Sequence, residues 1–208
     1  MADRIKGIGA VPPPSANVIS SKTIVEGIRP LGQLVSLSVQ LAKIHMKVNV
    51  SQGVLNMCAY SVNHAVQGTI EAGIDLTKIN ADALRYDAAR ETYILTVPPA
   101  ELTSCRIDDI QQYNWSVSAC NPDFDSARLL ANYTALTQFR DDAVEGGILT
   151  RAERETRIVL GNFVRLVTGH PVEIVFEQSE ATATPSSCNP DPPSGWIHDT
   201  TTGLWSSK

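Results

Sequence analysis

The chain has 208 residues and a mass of 22.5 kDa, which suits one domain of ordinary size with tails and allows a buried core without metal ions. Its 43% hydrophobic and 19% charged residues exclude a disordered or coiled-coil protein. The net charge of −5, from 17 Lys and Arg against 22 Asp and Glu, argues against a general nucleic-acid binder, whose affinity depends on a clustered basic surface.

Both ends of the chain differ in composition from the middle. Residues 1–21 contain three consecutive prolines and lack the apolar core of a signal peptide, so we expect a flexible leader. Residues 179–208 are rich in Pro, Gly, Ser and Thr, a composition typical of linkers. Residues 22–178 are predicted to form a single α+β domain.

The tail also holds two of the three tryptophans of the chain. Large aromatic side chains gain stability only when they are buried, so a purely disordered tail seldom keeps them. We expect the segments around them to pair as a small hairpin, or to lie along a sheet edge of the same or another subunit. An unstructured tail is the alternative. The candidate assembly residues are Trp196, Ile197, Leu204 and Trp205.

The first half of the domain shows strand patterns. Residues 23–29 form a short β-branched run that ends at Pro30, and residues 35–41 alternate between apolar and polar side chains. Beyond Ala42 the apolar set moves from odd to even positions, which predicts a β-bulge or a bend there. Further strands are predicted at 58–70, 85–87, 92–97 and 172–177.

After Asp125 the apolar period becomes helical and predicts two consecutive helices, at about 126–145 and 150–168. Asp125 or Ser126 is the expected N-cap of the first helix, and a capping-box pattern at 150–153 opens the second. Strands grouped before helices predict an α+β fold, a twisted and mainly antiparallel sheet with both helices packed on it. The buried stripe of the second helix is expected to contain Ala152, Val159, Phe163 and Leu166.

Four segments resemble a known family in their order and spacing: Ile24–Val35, Gly73–Leu76, Leu95–Glu101 and Ala143–Leu149. Over most of the chain the sequence resembles a bacterial family known as domain of unknown function 4230. Members commonly carry one membrane-spanning helix before this domain, so the resemblance implies tethering through an N-terminal anchor that this sequence lacks. It implies a fold and a topology and no catalytic residues. At the level of fold, the pattern is also similar to the stomatin/prohibitin type of membrane scaffold.

The four cysteines are Cys58, Cys105, Cys120 and Cys188, and none forms the C-x-x-C pair of a zinc ribbon or a thioredoxin-type site. Three pairings are open. A Cys105–Cys120 bond would close a polar loop at 106–119, whereas a Cys58–Cys188 bond would anchor the tail. We favour at least one disulfide, which implies an oxidising, extracytoplasmic compartment. Four reduced thiols are the alternative.

The sequence offers little catalytic chemistry. It contains no nucleophile-elbow, phosphate-loop or H-E-x-x-H motif, and its four histidines have no ligand spacing, so we predict no catalytic residue, metal ion or cofactor. His45 is expected to face solvent and His64 to lie in the core. Arg151, Arg154 and Arg165 share a helix face, but Glu153 and Glu155 interrupt it, which predicts a solvated face and no anion site.

The leading hypothesis is a non-enzymatic extracytoplasmic domain at the cell surface that acts as a binding or self-assembly module, with no nucleic acid as partner. In one version the tail adds β-structure to a neighbouring copy. The alternatives are a stomatin-like membrane scaffold and a small-ligand or enzymatic domain with a pocket between sheet and helices. The first candidates for such a pocket are Tyr60, His64, Asp75 and Arg29.

Overall fold

The computed structural model describes residues 21–53, 55, 57–80, 82–117, 121–178 and 184–208. The predicted leader, 1–21, lies outside the described residues apart from its last residue, and so do Cys120 and the first residues of the predicted tail.

The described elements are mostly strands, and two long helices follow each other between the fifth and the sixth strand. In chain order they are α1 (Ser21–Ile28), β1 (Gln33–Gln52), β2 (Cys58–Asp75), β3 (Leu84–Asp87), β4 (Thr92–Val97), β5 (Glu101–Val117), α2 (Phe124–Glu145), α3 (Ile148–Thr168), β6 (Val172–Phe176), β7 (Trp196–Asp199) and β8 (Leu204–Ser207). Short 3-10 turns lie at Arg29–Leu31, Leu76–Lys78 and Ser186–Cys188. The molecule is an α+β fold, as predicted.

The larger sheet has five strands in the order β5-β2-β1-β8-β7. Strands β1 and β2 form a long antiparallel hairpin, and β5 pairs antiparallel with the other edge of β2. Strands β7 and β8 form the hairpin predicted for the tail, and β8 runs parallel to β1 along its free edge. The tail hairpin therefore extends the sheet of its own chain.

Irregularities in the long strands match the predicted change of phase. The register of β1 against β2 shifts between Lys43 and Met46, next to the bulge expected near Ala42. On the other edge of β2, Asp109 lies opposite Gln67 and Ile107 opposite Gly68, so Asp108 is an extra residue in β5. Bulges of this kind bend a strand and redirect its side chains.

The smaller sheet has three strands in the order β3-β4-β6. The predicted hairpin β3–β4 is antiparallel, and β6 pairs parallel with β4, from Tyr93 opposite Val172 to Val97 opposite Phe176. The last predicted strand of the domain thus joins a separate small sheet.

Helices α2 and α3 bury one side each against the same face of the larger sheet. Small side chains let α2 approach the strands closely, and its buried residues include Ala127, Ala131 and Ala135. Helix α3 buries a residue once per turn, at Ile148, Ala152, Thr156, Leu160 and Val164. The second half of α2 and helix α3 form the main apolar core with residues of β1, β2 and β4. The first half of α2 packs in a smaller core cluster with residues of β1, β2 and β8.

The predicted strand at 23–29 is wrong, because this segment is α1. Ile24, Val25 and Ile28 are all buried, and their spacing places them on one side of a helix. β-Branched residues favour strands locally, but propensity is a weak preference that burial against a core overrides.

Both predicted helices are present, but each begins two residues earlier than predicted. Asp123, not Asp125 or Ser126, caps α2 through its carboxylate. Helix α3 begins at Ile148, directly after Gly147 in the left-handed conformation, so the capping box at 150–153 does not form. The polar loop expected at 106–119 is also wrong, because β5 runs through it to Val117.

Candidate functional site

The four residues predicted to line a common pocket do not come together. Tyr60 and His64 lie under α2, whereas Asp75 is the last residue of β2 and Arg29 belongs to the turn after α1. About 50 Å of extended strand separates Tyr60 from Asp75. Asp75 instead caps the following 3-10 turn by accepting a 2.9 Å hydrogen bond from the Thr77 amide, the Asx-type role that its sequence context favours.

Tyr60 anchors the start of α2. Its hydroxyl donates a hydrogen bond of 2.9 Å to the backbone carbonyl of Asp123, the capping residue. Burial of the phenol, reinforced by the nearby Asp123 carboxylate, raises the pKa of Tyr60 to about 12. A phenol that ionises so reluctantly is a poor general base at neutral pH, so its role is to position the helix.

His64 is fully buried, as expected, and neither ring nitrogen has a hydrogen-bond partner. It lies opposite Met46 of β1 and Gln112 of β5, on the side of the sheet that α2 covers. Burial lowers the pKa of His64, and the positive charge of Arg128 on α2 lowers it further. The imidazole is therefore neutral at pH 7, and no acidic side chain among the described residues hydrogen-bonds to it.

A polar network lies on the sheet face that the helices leave open. The Asp108 carboxylate accepts hydrogen bonds from the Thr69 hydroxyl and from Arg106 Nε, the latter at 3.0 Å. Arg106 also donates to Glu71 at 3.0 Å. Thr69, Arg106 and Asp108 line part of an open cavity of about 410 Å³. The one arginine of the network pairs with carboxylates on both strands, so the network serves to fasten β2 to β5.

Helix α3 exposes apolar side chains that were predicted to lie in the core. Val159, Phe163 and Leu166, predicted to be buried, are exposed, with Leu166 at 85% of its full accessibility; Ile158 is exposed as well. The helix packs along 148, 152, 156, 160 and 164 instead. The sequence pattern that indicated this buried side is the series of positions four residues apart that includes Ala152. Larger apolar side chains at neighbouring positions made another side of the helix look more hydrophobic.

The same helix carries four exposed arginines, Arg151, Arg154, Arg157 and Arg165, against two glutamates. At 100° per residue the arginines fall within about one third of the helix circumference. Glu153 is partly buried and lies off this side, so only Glu155 interrupts the exposed surface. We call the exposed apolar residues and arginines together the α3 face. It is basic, although the whole chain is acidic.

The disulfides differ from both bonds considered from sequence. Cys105 of β5 is bonded to Cys188 in the tail, so neither a Cys105–Cys120 nor a Cys58–Cys188 bond exists. Cys58 is also disulfide-bonded. The error has a physical cause: residues 106–117 form a strand, which carries the chain away from Cys105. The tail is anchored as expected, through a different strand.

Two comparisons found nothing: no curated protein and no solved structure matches this chain. The sequence model of a family described as "Protein of unknown function (DUF4230)" matches residues 26–174. The chain belongs to this family.

The span matched to DUF4230 contains His64, the polar network and α3, whereas Cys188 and the hairpin β7–β8 follow it. No three His, Cys, Asp or Glu side chains among the described residues lie close enough to hold a metal ion. None of the helices in the described ranges combines the length and apolar character needed to cross a bilayer.

Proposed function

We propose that this DUF4230 protein is a non-enzymatic, extracytoplasmic module that binds an anionic membrane surface through the α3 face. The observation that carries the proposal is the exposure of apolar side chains and arginines together on one packed helix. Helices that lie in the plane of a membrane interface have this composition, with apolar residues entering the acyl boundary and arginines meeting anionic headgroups.

The disulfides support a location outside the cytoplasm. The Cys105–Cys188 bond joins residues 83 positions apart, and Cys58 is oxidised as well. Such bonds persist in oxidising compartments and are rare in the reducing cytosol. Cell-surface or secreted residence is therefore part of the proposal.

Charge favours a lipid surface over a second copy as the occupant of the α3 face. Two copies of the chain, each at −5, would have to bring like-charged arginine sides together across a helix pair. An anionic bilayer neutralises the four arginines and attracts this side of an otherwise acidic molecule, with about 1 kcal/mol for each arginine near the surface.

Self-association through the tail is a second candidate function, for which the open edge of β7 is the specific observation. Strand β7 ends the five-stranded order, and Ile197 on it is 52% exposed. Trp205, in contrast, is buried against the smaller core cluster of its own chain. Any pairing with a neighbour would therefore use β7, and short edge strands of four residues offer few hydrogen bonds.

Vesicle flotation tests membrane binding directly. The intact chain should float with phosphatidylcholine vesicles that contain phosphatidylglycerol and should remain in the dense fraction with phosphatidylcholine alone. Leu166→Glu should reduce the bound fraction about tenfold or more, because it puts a charge in place of an apolar side chain whose burial in the bilayer would contribute about 1.5–3 kcal/mol. Leu129→Glu is the matched control, since Leu129 is also helical and is 53% exposed on α2.

Two outcomes contradict the membrane proposal: no flotation of the unchanged chain, or equal losses in the two variants. The native mass of the same samples without vesicles tests whether a second copy of the chain binds instead, through the α3 face or through the tail. A dimer that Leu166→Glu dissociates would make the α3 face a contact between copies and overturn the membrane proposal. A monomeric native mass contradicts self-association through the tail.

A further inference from the structure

A second feature of α3 lies on the side of the helix that carries the arginines, and it shares Ile158 with the α3 face. A cavity of about 480 Å³ opens between the C-terminal half of the helix and the start of β6. Its polar lining comes from Arg157, Asn162 and Arg165, and its apolar wall from Ile158, Pro171 and Val172. The volume lies in the range of ligand sites, which combine apolar walls with a few polar groups.

The two arginines of this cavity have no acidic partner in the part of the chain that the structure describes. Among the arginines, the described ion pairs engage Arg90, Arg106 and Arg140, and none of the described ion pairs includes Arg157 or Arg165. The guanidinium carbon of Arg157 lies 4.7 Å from the centre of the Phe176 ring, a contact that orients the group and leaves its charge uncompensated. Two positive charges without a described ion pair therefore border one cavity.

Gly161 stands between the arginines, one turn from each, and also lines the cavity. A glycine inside a helix lowers stability relative to alanine, so its presence needs a reason. Packing does not supply one, because a Cβ atom at this position would make only an ordinary contact of 3.8 Å with Val172. The missing side chain instead keeps the cavity wall open between the positions of Arg157 and Arg165.

We infer that this cavity binds a phosphate monoester with an apolar substituent. A phosphate monoester carries close to two negative charges at neutral pH and presents three acceptor oxygens, which matches two guanidinium groups. A carboxylate would leave one arginine uncompensated. The apolar substituent would lie against Ile158, Pro171 and Val172, with Asn162 as a further hydrogen-bonding group. The site goes beyond membrane docking, since a soluble ligand can occupy it without a bilayer.

Titration calorimetry of the intact, oxidised chain with phenyl phosphate tests this inference. Phenyl sulfate has nearly the same shape and one negative charge fewer, so it should bind at least tenfold more weakly. Arg165→Gln should weaken phenyl phosphate binding by about tenfold to a hundredfold, the loss expected for charge-assisted hydrogen bonds. Arg151→Gln is the matched control, because Arg151 lies on the same helix and does not line the cavity. Gly161→Leu should abolish binding by filling the space between the arginines.

Circular dichroism shows whether each variant is folded. If Gly161→Leu does not fold, the loss of binding in Arg165→Gln tests the inference alone. Equal binding of phosphate and sulfate esters, or equal losses in Arg151→Gln and Arg165→Gln, overturns the inference. A water-soluble short-chain phosphatidate, compared with phenyl phosphate, distinguishes a lipid headgroup from a free organic phosphate as the source. Leu166→Glu should leave phenyl phosphate binding unchanged, because Leu166 does not line the cavity. A failure of the membrane proposal can therefore be told apart from a failure of the phosphate site.

Discussion

At the scale of single residues, the most unusual group is His64, a buried imidazole without hydrogen bonds. Its pKa is lowered from the 6.5 of a free histidine, mainly by burial and also by Arg128. The unfolded chain therefore binds a proton at a higher pH than the folded chain does. The stability that depends on a neutral His64 is fully present above about pH 6.5. It is lost as the pH falls from there toward the lower pKa of His64 in the folded chain.

We expect His64→Leu to remove most of this loss. Below about pH 6.5, His64 should lower the free energy of unfolding of the unchanged chain by up to about 1.4 kcal/mol for each pH unit. A pH series from about pH 7 to pH 5 covers this range. Urea unfolding across the pH series measures the slope. His64→Gln should flatten it as well, because neither replacement titrates. An unchanged slope in both variants would assign the acid sensitivity to other groups.

At the scale of elements, the start of α2 shows how one carboxylate fixes a helix boundary. Asp123 accepts a 3.0 Å hydrogen bond from the Ser126 amide and a 2.7 Å bond from the Ser126 hydroxyl. These bonds lower the pKa of Asp123. Since Tyr60 holds the carbonyl of the same residue, Asp123 connects the helix to β2.

Asp123→Ala should therefore destabilise the fold by about 1 kcal/mol, the usual cost of losing an N-cap side chain. Asp123→Asn should cost much less, since asparagine caps almost as well as aspartate. Asp125→Ala tests the position that the sequence favoured and should have the smaller effect. The urea midpoint at neutral pH gives all three values. An Asp125→Ala loss that exceeded that of Asp123→Ala would show that the cap is assigned to the wrong residue.

At the scale of the whole molecule, the Cys105–Cys188 bond fixes the position of the tail against the domain. The tail enters the structure between β5 and α2, where Arg140 donates a 3.1 Å hydrogen bond to the Cys188 carbonyl. The hairpin then returns to the far edge of the sheet, where Trp205 is buried and packs edge-on against Tyr133. Removal of the tail would consequently expose the core and would not be a neutral truncation.

The double variant Cys105→Ala/Cys188→Ala tests this anchor. Closing a loop of this length stabilises a folded chain by roughly 4.5 kcal/mol on the chain-entropy account, and measured losses run from about 2 to 5 kcal/mol. For a chain of this size, each kcal/mol lowers the melting temperature by about 2–4 °C. Calorimetry of the oxidised proteins measures the difference. A melting temperature within error of the unchanged chain would mean that the hairpin and its tryptophan hold the tail unaided.

Local periodicity accounts for much of what the sequence determined. The alternation in β1, the hairpin β3–β4 and the helical period after residue 125 were all correctly predicted, because each depends on neighbours within a few residues. The inward position of His64 and the tail hairpin around two tryptophans followed from the same kind of evidence. The α+β class follows from the order of these patterns.

The candidate site depended on tertiary structure. Whether Val159, Phe163 and Leu166 face the core or solvent depends on how α3 crosses the sheet, which the helical period does not specify. Cys105 bonds to Cys188 because an unforeseen long strand redirects the chain, and α1 is a helix because the core offers it a partner. Contacts between distant residues decide these features, so no pattern within a short segment could have fixed them.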